Sequence, residues 1–378
     1  MKKQILFLLS ILFLSITSIA YAQGTEGEAV QKAKDAENNK DYETALKWYK
    51  TAKDINPKNA LRYYDLAWCY NELKKFSNAV DVAKKGLDLD DETYNDKLYG
   101  EYIFGAVSSD DDVVVEVLYK RLLKEGNYKQ ISKIGDKYFY NKNYEKAEKY
   151  YITCKENNFT NNDIYYHLGY INNEFEEYDK AIDNLKKAIN LNTEDAGSYN
   201  ELAYAYKKMD QVSNALDNYI KAYNLDNRSA LYANNIGDIY FSDATYKDLD
   251  KALDYYLKAL KNDSKDLVSN YRVGWIYSDK AEYYSAEKYL NKALEVSPGY
   301  ADAVIELGYV YLEQNKLTDA EKNLKLGLEK IPDDELANYY LGLVYSKQNK
   351  KSKVEEQLNR LNKLNSSYYD TLKKEIDN

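Results

Sequence analysis

His167, Cys69, Cys154 and a large excess of carboxylates are the side chains here that could do acid–base, nucleophilic or metal chemistry. A serine hydrolase needs a serine within reach of its histidine. The residues one helical turn from His167 are Asp163, Ile164, Tyr170 and Ile171, and none is a nucleophile. Zinc needs three or four ligands, which one histidine and two scattered cysteines cannot supply. Asp110–Asp112 is a run of three acids that could touch calcium, but it lacks the alternating oxygen ligands of a loop site. It reads as a polar turn capping a helix that starts near Val113. No glycine-rich phosphate loop or dinucleotide fingerprint occurs. No catalytic residue, metal ligand or cofactor is expected. Binding chemistry is better represented. Tyr64/Trp68, Tyr166/Tyr170 and Tyr271/Trp275 are aromatic pairs one helical turn apart, and Tyr204, Tyr309 and Tyr339 add single rings. Asn71, Asn173, Asn200 and Asn234 place amides among them. The chain carries 43 tyrosines but only three tryptophans, so Trp68 and Trp275 carry the most information.

The elements that position these residues repeat. With Glu26 as position 1, 34-residue units open at 26, 60, 94, 128, 162, 196 and 230, then, after a three-residue slip, at 267, 301 and 335. All three prolines, Pro57, Pro298 and Pro332, fall at position 32. Position 8 is Ala or Gly in nine of ten units: Ala33, Ala67, Gly135, Gly169, Ala203, Gly237, Gly274, Gly308 and Gly342, with Glu101 the exception. Position 20 is Ala, or Val at Val113 and Val354, and position 24 is mostly large, as at Tyr151, Tyr256, Leu290 and Leu324. Positions 4, 7, 8 and 11 share one helical face, and 20, 24 and 27 another, so each unit is a pair of amphipathic helices. Two helices cross closely only where a side chain is nearly absent. Two units depart from the pattern. The third, Tyr94–Asn127, keeps the length but loses the signature, and its helix pairing is not legible. The seventh holds the insertion, expected around Ser242–Lys247.

The pattern resembles the tetratricopeptide repeat, a helix–turn–helix unit of 34 residues. The clearest matches are Leu168–Tyr170, Leu307–Tyr311 with Ala320 and Pro332, and Val273–Tyr277 with Ala286 and Pro298. The resemblance implies an all-α, right-handed superhelical solenoid of about ten helical pairs. It would run over residues 23–368 and close with a capping helix in 369–378. Ser366 or Ser367 is the expected cap of that helix, and Tyr369, Leu372 and Ile376 its inward stripe.

Residues 1–22 read differently. Lys2 and Lys3 precede an apolar run, Ile5–Ile19, and Ala20-Tyr21-Ala22 offers a small-x-small cleavage site. That is a secretory signal peptide cleaved after Ala22, with an uncleaved anchor as the alternative. The expectation is an exported protein, periplasmic or extracellular, with no membrane span in the mature chain. Heavy use of Asn, Lys, Tyr and Ile suits an AT-rich bacterial genome. Net charge is −9, and −11 once Lys2 and Lys3 are removed. Acidic balance without a basic stripe excludes nucleic acid as an expected partner. Lysines alternate with acids, as at Lys146–Lys149, which reads as a solvated face. Cys69 and Cys154 lie more than two repeats apart, so two buried thiols are expected rather than a disulfide.

The resemblance also implies where partners bind. In this family the first helices line a concave groove, with positions 2, 5, 9 and 12 facing it. That places Tyr64, Trp68, Asn71, Tyr166, Tyr170, Asn173, Asn200, Tyr204, Asn234, Tyr271, Trp275 and Tyr309 on the groove. Rings among amides suit an extended peptide. The family's clamp for peptide carboxylates pairs Lys at position 5 with Asn at position 9, and no unit here has both. The expected function is a non-enzymatic protein- or peptide-binding scaffold of the bacterial envelope. The alternative is a cell-wall glycan stacked on the rings. An appended catalytic domain is not expected, because repeats run almost to the end.

Overall fold

A computed structural model describes residues 26–377. The proposed signal peptide and its cleavage site lie outside them. Every regular element among the described residues is an α-helix, and the architecture is an all-α helical-repeat solenoid. The chain divides into two compact halves between Phe175 and Glu176.

The N-terminal half contains α1 (26–38), α2 (Tyr42–Ile55), α3 (Ala60–Glu72), α4 (Phe76–Leu87), α5 (Glu92–Ser108), α6 (Asp112–Glu125), α7 (Tyr128–Tyr140), α8 (Tyr144–Glu156) and α9 (Asn162–Glu174). Helix starts are written in local chemistry. Asp41, Asn59, Asp111, Asn127, Asn143 and Asn161 each accept a hydrogen bond from an amide of the first turn. The three-residue turns inside repeats put the residue at position 15 in the left-handed region, as at Lys74 (φ 56°) and Lys142 (φ 60°). The next amide then reaches back across the turn, Lys75 N to Tyr70 O at 2.8 Å and Asn143 N to Tyr138 O at 2.9 Å. This is the double-bonded helix end that usually recruits glycine.

The small residue at position 8 makes room for the large one at position 24. A Cβ on Gly135 would stand 2.8 Å from the Tyr151 ring. The third repeat solves the problem differently. Its first helix, α5, is 17 residues long against 13 for α3 and α7. It packs mainly on α4, α3 and α7 and only lightly on its own partner α6. Leu98 lies over Gly86, where a Cβ would stand 2.7 Å away. Glu101, in the place of the small residue, turns instead toward α3. The repeat therefore keeps its length while its pair is loosened. Asp111 caps α6 and Asp112 pairs with Lys146 at 2.5 Å, so the acid run is a turn and a rung between repeats. Cys69 and Cys154 are buried and unbridged. Their thiols donate to Tyr42 O (3.1 Å) and Tyr128 O (3.4 Å), and burial pushes both up to about 12.

The C-terminal half contains α10 (Tyr178–Leu191), α11 (Ala196–Lys208), α12 (Val212–Leu225), α13 (Ala230–Ser242), α14 (Leu249–Asn262), α15 (Leu267–Asp279), α16 (Tyr283–Val296), α17 (Ala301–Glu313), α18 (Leu317–Lys330), α19 (Glu335–Lys347), α20 (Lys351–Lys363) and α21 (Tyr368–Asp377). The same crossings recur: a Cβ would stand 2.9 Å from Tyr256 at Gly237, 2.7 Å from Leu290 at Gly274 and 2.6 Å from Leu324 at Gly308. The left-handed turn recurs at Asp210, Ala281, Asn315 and Asn349. It is absent between α13 and α14, where the three extra residues sit. There Asp243 caps the amides of Thr245 and Tyr246, and Asp248 N closes the loop onto Tyr240 O at 2.8 Å. At the end, Ser366 Oγ accepts from Tyr368 N at 3.2 Å and donates to Glu335 at 2.6 Å. Leu372 of α21 is fully buried, and Tyr368 stacks on Tyr339 at 5.1 Å. No helix among the described residues is long and apolar enough to cross a membrane.

Candidate partner-binding face

In the N-terminal half, the candidate rings lie half-buried on α3 and α9. Trp68 meets Tyr42 of the preceding repeat edge-on, with ring centres 5.7 Å apart. Tyr64 has the Lys97 ammonium 5.5 Å from its ring. Tyr166 and Tyr170 stand 6.5 Å apart, and Tyr170 packs on Phe139 (5.2 Å) and Tyr144 (5.8 Å) of the preceding repeat. In the C-terminal half, Trp275 meets Phe241 at 5.0 Å, Tyr271 meets Tyr300 at 5.3 Å, and Tyr309 stacks on Tyr340 at 4.6 Å. Tyr204 has the Lys208 ammonium 5.4 Å away. The ring at position 9 thus leans on positions 12 or 17 of the repeat before it, at Trp68, Tyr170 and Trp275. Each keeps part of its surface open while bracing the stack.

The amides behave differently from the rings. Asn71 is buried and donates to Glu101 O (3.0 Å) and Glu101 Oε2 (2.8 Å). Asn200 is buried, donates to Glu201 at 3.1 Å and accepts from Asn235 at 2.7 Å. Asn234 donates to Asp266 at 3.2 Å and accepts from Ser269. Asn173 is 3 % exposed. Neighbouring first helices approach closely enough that these amides face the next helix, so Asn71, Asn200 and Asn234 are turned inward and stitch repeats together instead of presenting a donor row.

Carboxylates on the same helices were not singled out from sequence. Burial pushes Asp65 up to about 6 even though Arg62 holds it at 2.7 Å. Burial also raises Glu101, against the Asn71 hydrogen bond, and Asp136, against the hydrogen bond from Tyr151. Glu306 is raised by burial as well, eased by Ser278. The signal that could have found them is an acid inside an otherwise apolar or aromatic stripe. His167, which the sequence does single out, lies beside this group: its Nδ1 is 3.6 Å from Asp136, and its ring stacks on Tyr151, which donates to Asp136 at 2.8 Å. The Tyr–Asp pair recurs without a histidine as Tyr256 to Asp238 at 2.6 Å, with Arg272 at the position equivalent to His167. Recurrence marks it as a way of joining position 24 to position 9. Among the described residues no three His, Cys, Asp or Glu side chains gather as a metal would require.

A family model described as tetratricopeptide repeat matches residues 277–339, and a second with the same description matches 61–93, 163–195 and 196–229. The latter three open within a residue of the units read from the sequence. Among solved structures, the C-terminal part of a TPR repeat-containing protein from Cytophaga hutchinsonii is similar at 20 % identity and TM-score 0.51, covering 61 % of this chain and 94 % of that one. The chain carries tetratricopeptide repeats over those matched residues. Other similar structures are YrrB, described as a TPR protein with an unusual peptide-binding site (24 % identity, TM-score 0.43, 48 % of this chain and 91 % of that one), and PilF of Pseudomonas aeruginosa (18 %, 0.48, 57 % and 97 %). No curated protein matches the sequence. In these tetratricopeptide repeats, the rings on first helices take part in stacking and keep some of their surface open.

Proposed function

We propose that this tetratricopeptide-repeat chain is a non-enzymatic scaffold of the bacterial envelope that holds an extended protein segment along its first helices. The observation that carries the reading is the half-buried rings on first helices within each half, on α3 and α9 in the N-terminal one and on α11, α15 and α17 in the C-terminal one, each braced by its own repeat or its neighbour and still partly open. Braced rings lose little freedom on binding, which suits them as anchors. Export rests on the N-terminal sequence, with its Lys-flanked apolar run and Ala-Tyr-Ala site. A sugar stacks best on a whole open ring face. Trp68 and Trp275 are half-buried and each meets a neighbouring ring edge-on, which leaves a sugar little open surface and favours peptide over glycan.

The test is paired capture from envelope extract. Eluted ligand is divided between protease and muramidase and offered to the protein again. Loss of rebinding after protease is the expected result. Loss only after muramidase would transfer the reading to a glycan strand. Turnover of a captured molecule, abolished by changing one acid, would make the chain an enzyme. Trp68→Ala with Trp275→Ala is a blunt probe, because each ring also braces its stack. Binding should therefore be read beside helicity.

A further inference from the structure

Some carboxylates of the C-terminal half are paired with lysines and others are not. Several on the second helices are matched by lysines: Glu287 holds Lys316 at 2.8 Å, Glu321 holds Lys325 at 2.6 Å and Lys350 at 2.8 Å, Asp254 holds Lys258 at 2.7 Å, and Asp250 holds Lys280, although among the described residues Asp217, Glu295, Asp319 and Glu329 enter no ion pair. On the first helices α15 and α17 they are not. Among the described residues, Asp279, Asp302, Glu306 and Glu313 enter no ion pair. Glu313 accepts from the Tyr283 hydroxyl at 3.3 Å, and no lysine or arginine pairs with any of the four.

Their placement is regular. Asp302, Glu306, Tyr309 and Glu313 recur at the i, i+4, i+7, i+11 spacing of a single helix face. Helix α17 lies between α15 and α19. Tyr271 comes from the first of these neighbours and Tyr340 from the second. Tyr309 follows Glu306 by one helical turn and stacks on Tyr340 at 4.6 Å, and burial first, then nearby carboxylates that include Glu306, raise the phenols of Tyr271, Tyr309 and Tyr340. Glu306 is half-buried between two exposed acids, Asp302 and Glu313. Ser278 Oγ, on a side chain 3 % exposed, lies against Glu306 and eases its ionisation, yet it forms no hydrogen bond of normal geometry. No arginine or lysine forms an ion pair with Glu306, the nearby carboxylate of Asp279 adds to its upward shift, and Arg272 stands 5.5 Å from the Tyr271 ring centre. A half-buried carboxylate beside aromatic rings attracts a cation twice, through its charge and through the negative ring faces left open.

We propose that this face receives a lysine or arginine side chain of an extended partner segment, its ammonium or guanidinium pairing with Glu306 among Tyr271, Tyr309 and Tyr340. The proposal rests on the scaffold reading above and narrows it to a basic partner. Asp302 and Glu313, exposed on either side, set the register for further basic residues along the segment. The net charge of −9 steers such a partner toward the protein from a distance.

The probes are fluorescein-labelled decapeptides alternating leucine with lysine, arginine, glutamine or glutamate, titrated with the purified chain at low and high salt. Lysine and arginine peptides should bind, weaken as salt rises, and lose at least about tenfold in affinity on Glu306→Gln. Asp302→Asn with Glu313→Gln should flatten the salt dependence. Glu306→Gln keeps the shape and removes a buried charge, so an unchanged or raised unfolding temperature separates lost binding from lost fold. Basic and glutamine peptides bound equally, or basic peptides indifferent to Glu306→Gln, would overturn the proposal while leaving the scaffold standing. No peptide bound at all, with muramidase-sensitive capture in its place, would overturn both.

Discussion

Gly308 shows how little room the helix crossings leave. A methyl group there would meet Leu324 Cγ at 2.6 Å, a branch point that cannot swing aside unless α18 moves. Gly308→Ala is expected to cost about 1–3 kcal/mol, read as a lower unfolding midpoint. Gly135→Ala should cost less, because Tyr151 presents a flat ring and because Ala33 and Ala203 occupy the equivalent position opposite Tyr49 and Tyr219. Size at position 8 is legible from sequence because the constraint is local and steric. The direction of a polar side chain is not. Asn71 and Trp68 sit on one helix with similar spacing claims to a groove, yet Asn71 turns to Glu101. What decides its direction is the 17-residue helix α5 of the next repeat, which presents an acid where other repeats present Ala or Gly.

At the scale of the element, the turn between paired helices carries a cost hidden in the sequence. Position 15 is left-handed in both halves, yet it is occupied by Lys, Asp, Ala and Asn, and never by glycine at Lys74, Lys142, Asp210, Ala281, Asn315 or Asn349. No shared residue type announces it. The geometry comes from the bonds across the turn, such as Lys316 N to Tyr311 O at 2.8 Å. Ala281 is the sharpest case, with φ 58° and no polar side chain to compensate. Ala281→Gly should stabilise the C-terminal half by about 0.5–1 kcal/mol, since the αL penalty for alanine outweighs the extra chain entropy of glycine. Calorimetry of the single variant checks this, and an unchanged or lower midpoint would count against it. Helix number, phase and the site of the three-residue insertion were legible, because apolar periodicity and turn composition are local. The loosened pair of α5 and α6 was not. Leu98 under Gly86 replaces a contact within the repeat by one between repeats, and a period alone cannot tell the two apart.

At the scale of the whole molecule, two sets of acids pull stability in opposite directions with pH. Asp65, at about 6, and Glu101, Asp136 and Glu306, all raised by burial, bind protons more tightly when folded. Their contribution is full below the unfolded carboxylate range and is lost as pH climbs through the folded values. Glu321, which Lys325 and Lys350 hold at about 2 against the effect of burial, and the lowered Asp96 and Glu287 contribute above that range and fade as pH falls. The unfolding midpoint should therefore peak at roughly pH 4–5 and decline toward pH 7. Asp65→Asn should flatten that decline between about pH 4 and 6, and a wild-type midpoint still rising through that interval would refute the assignment. The lysine–carboxylate rungs have a further consequence. Lys316 reaches Glu287 and Lys350 reaches Glu321 by the same step of 29 residues along the chain. A junction that looks alike wherever the register is kept can be cut and rejoined one period away without exposing a new kind of surface. In-frame recombination could thus lengthen or shorten this gene by whole repeats, making reach along a partner a heritable trait that changes in discrete steps.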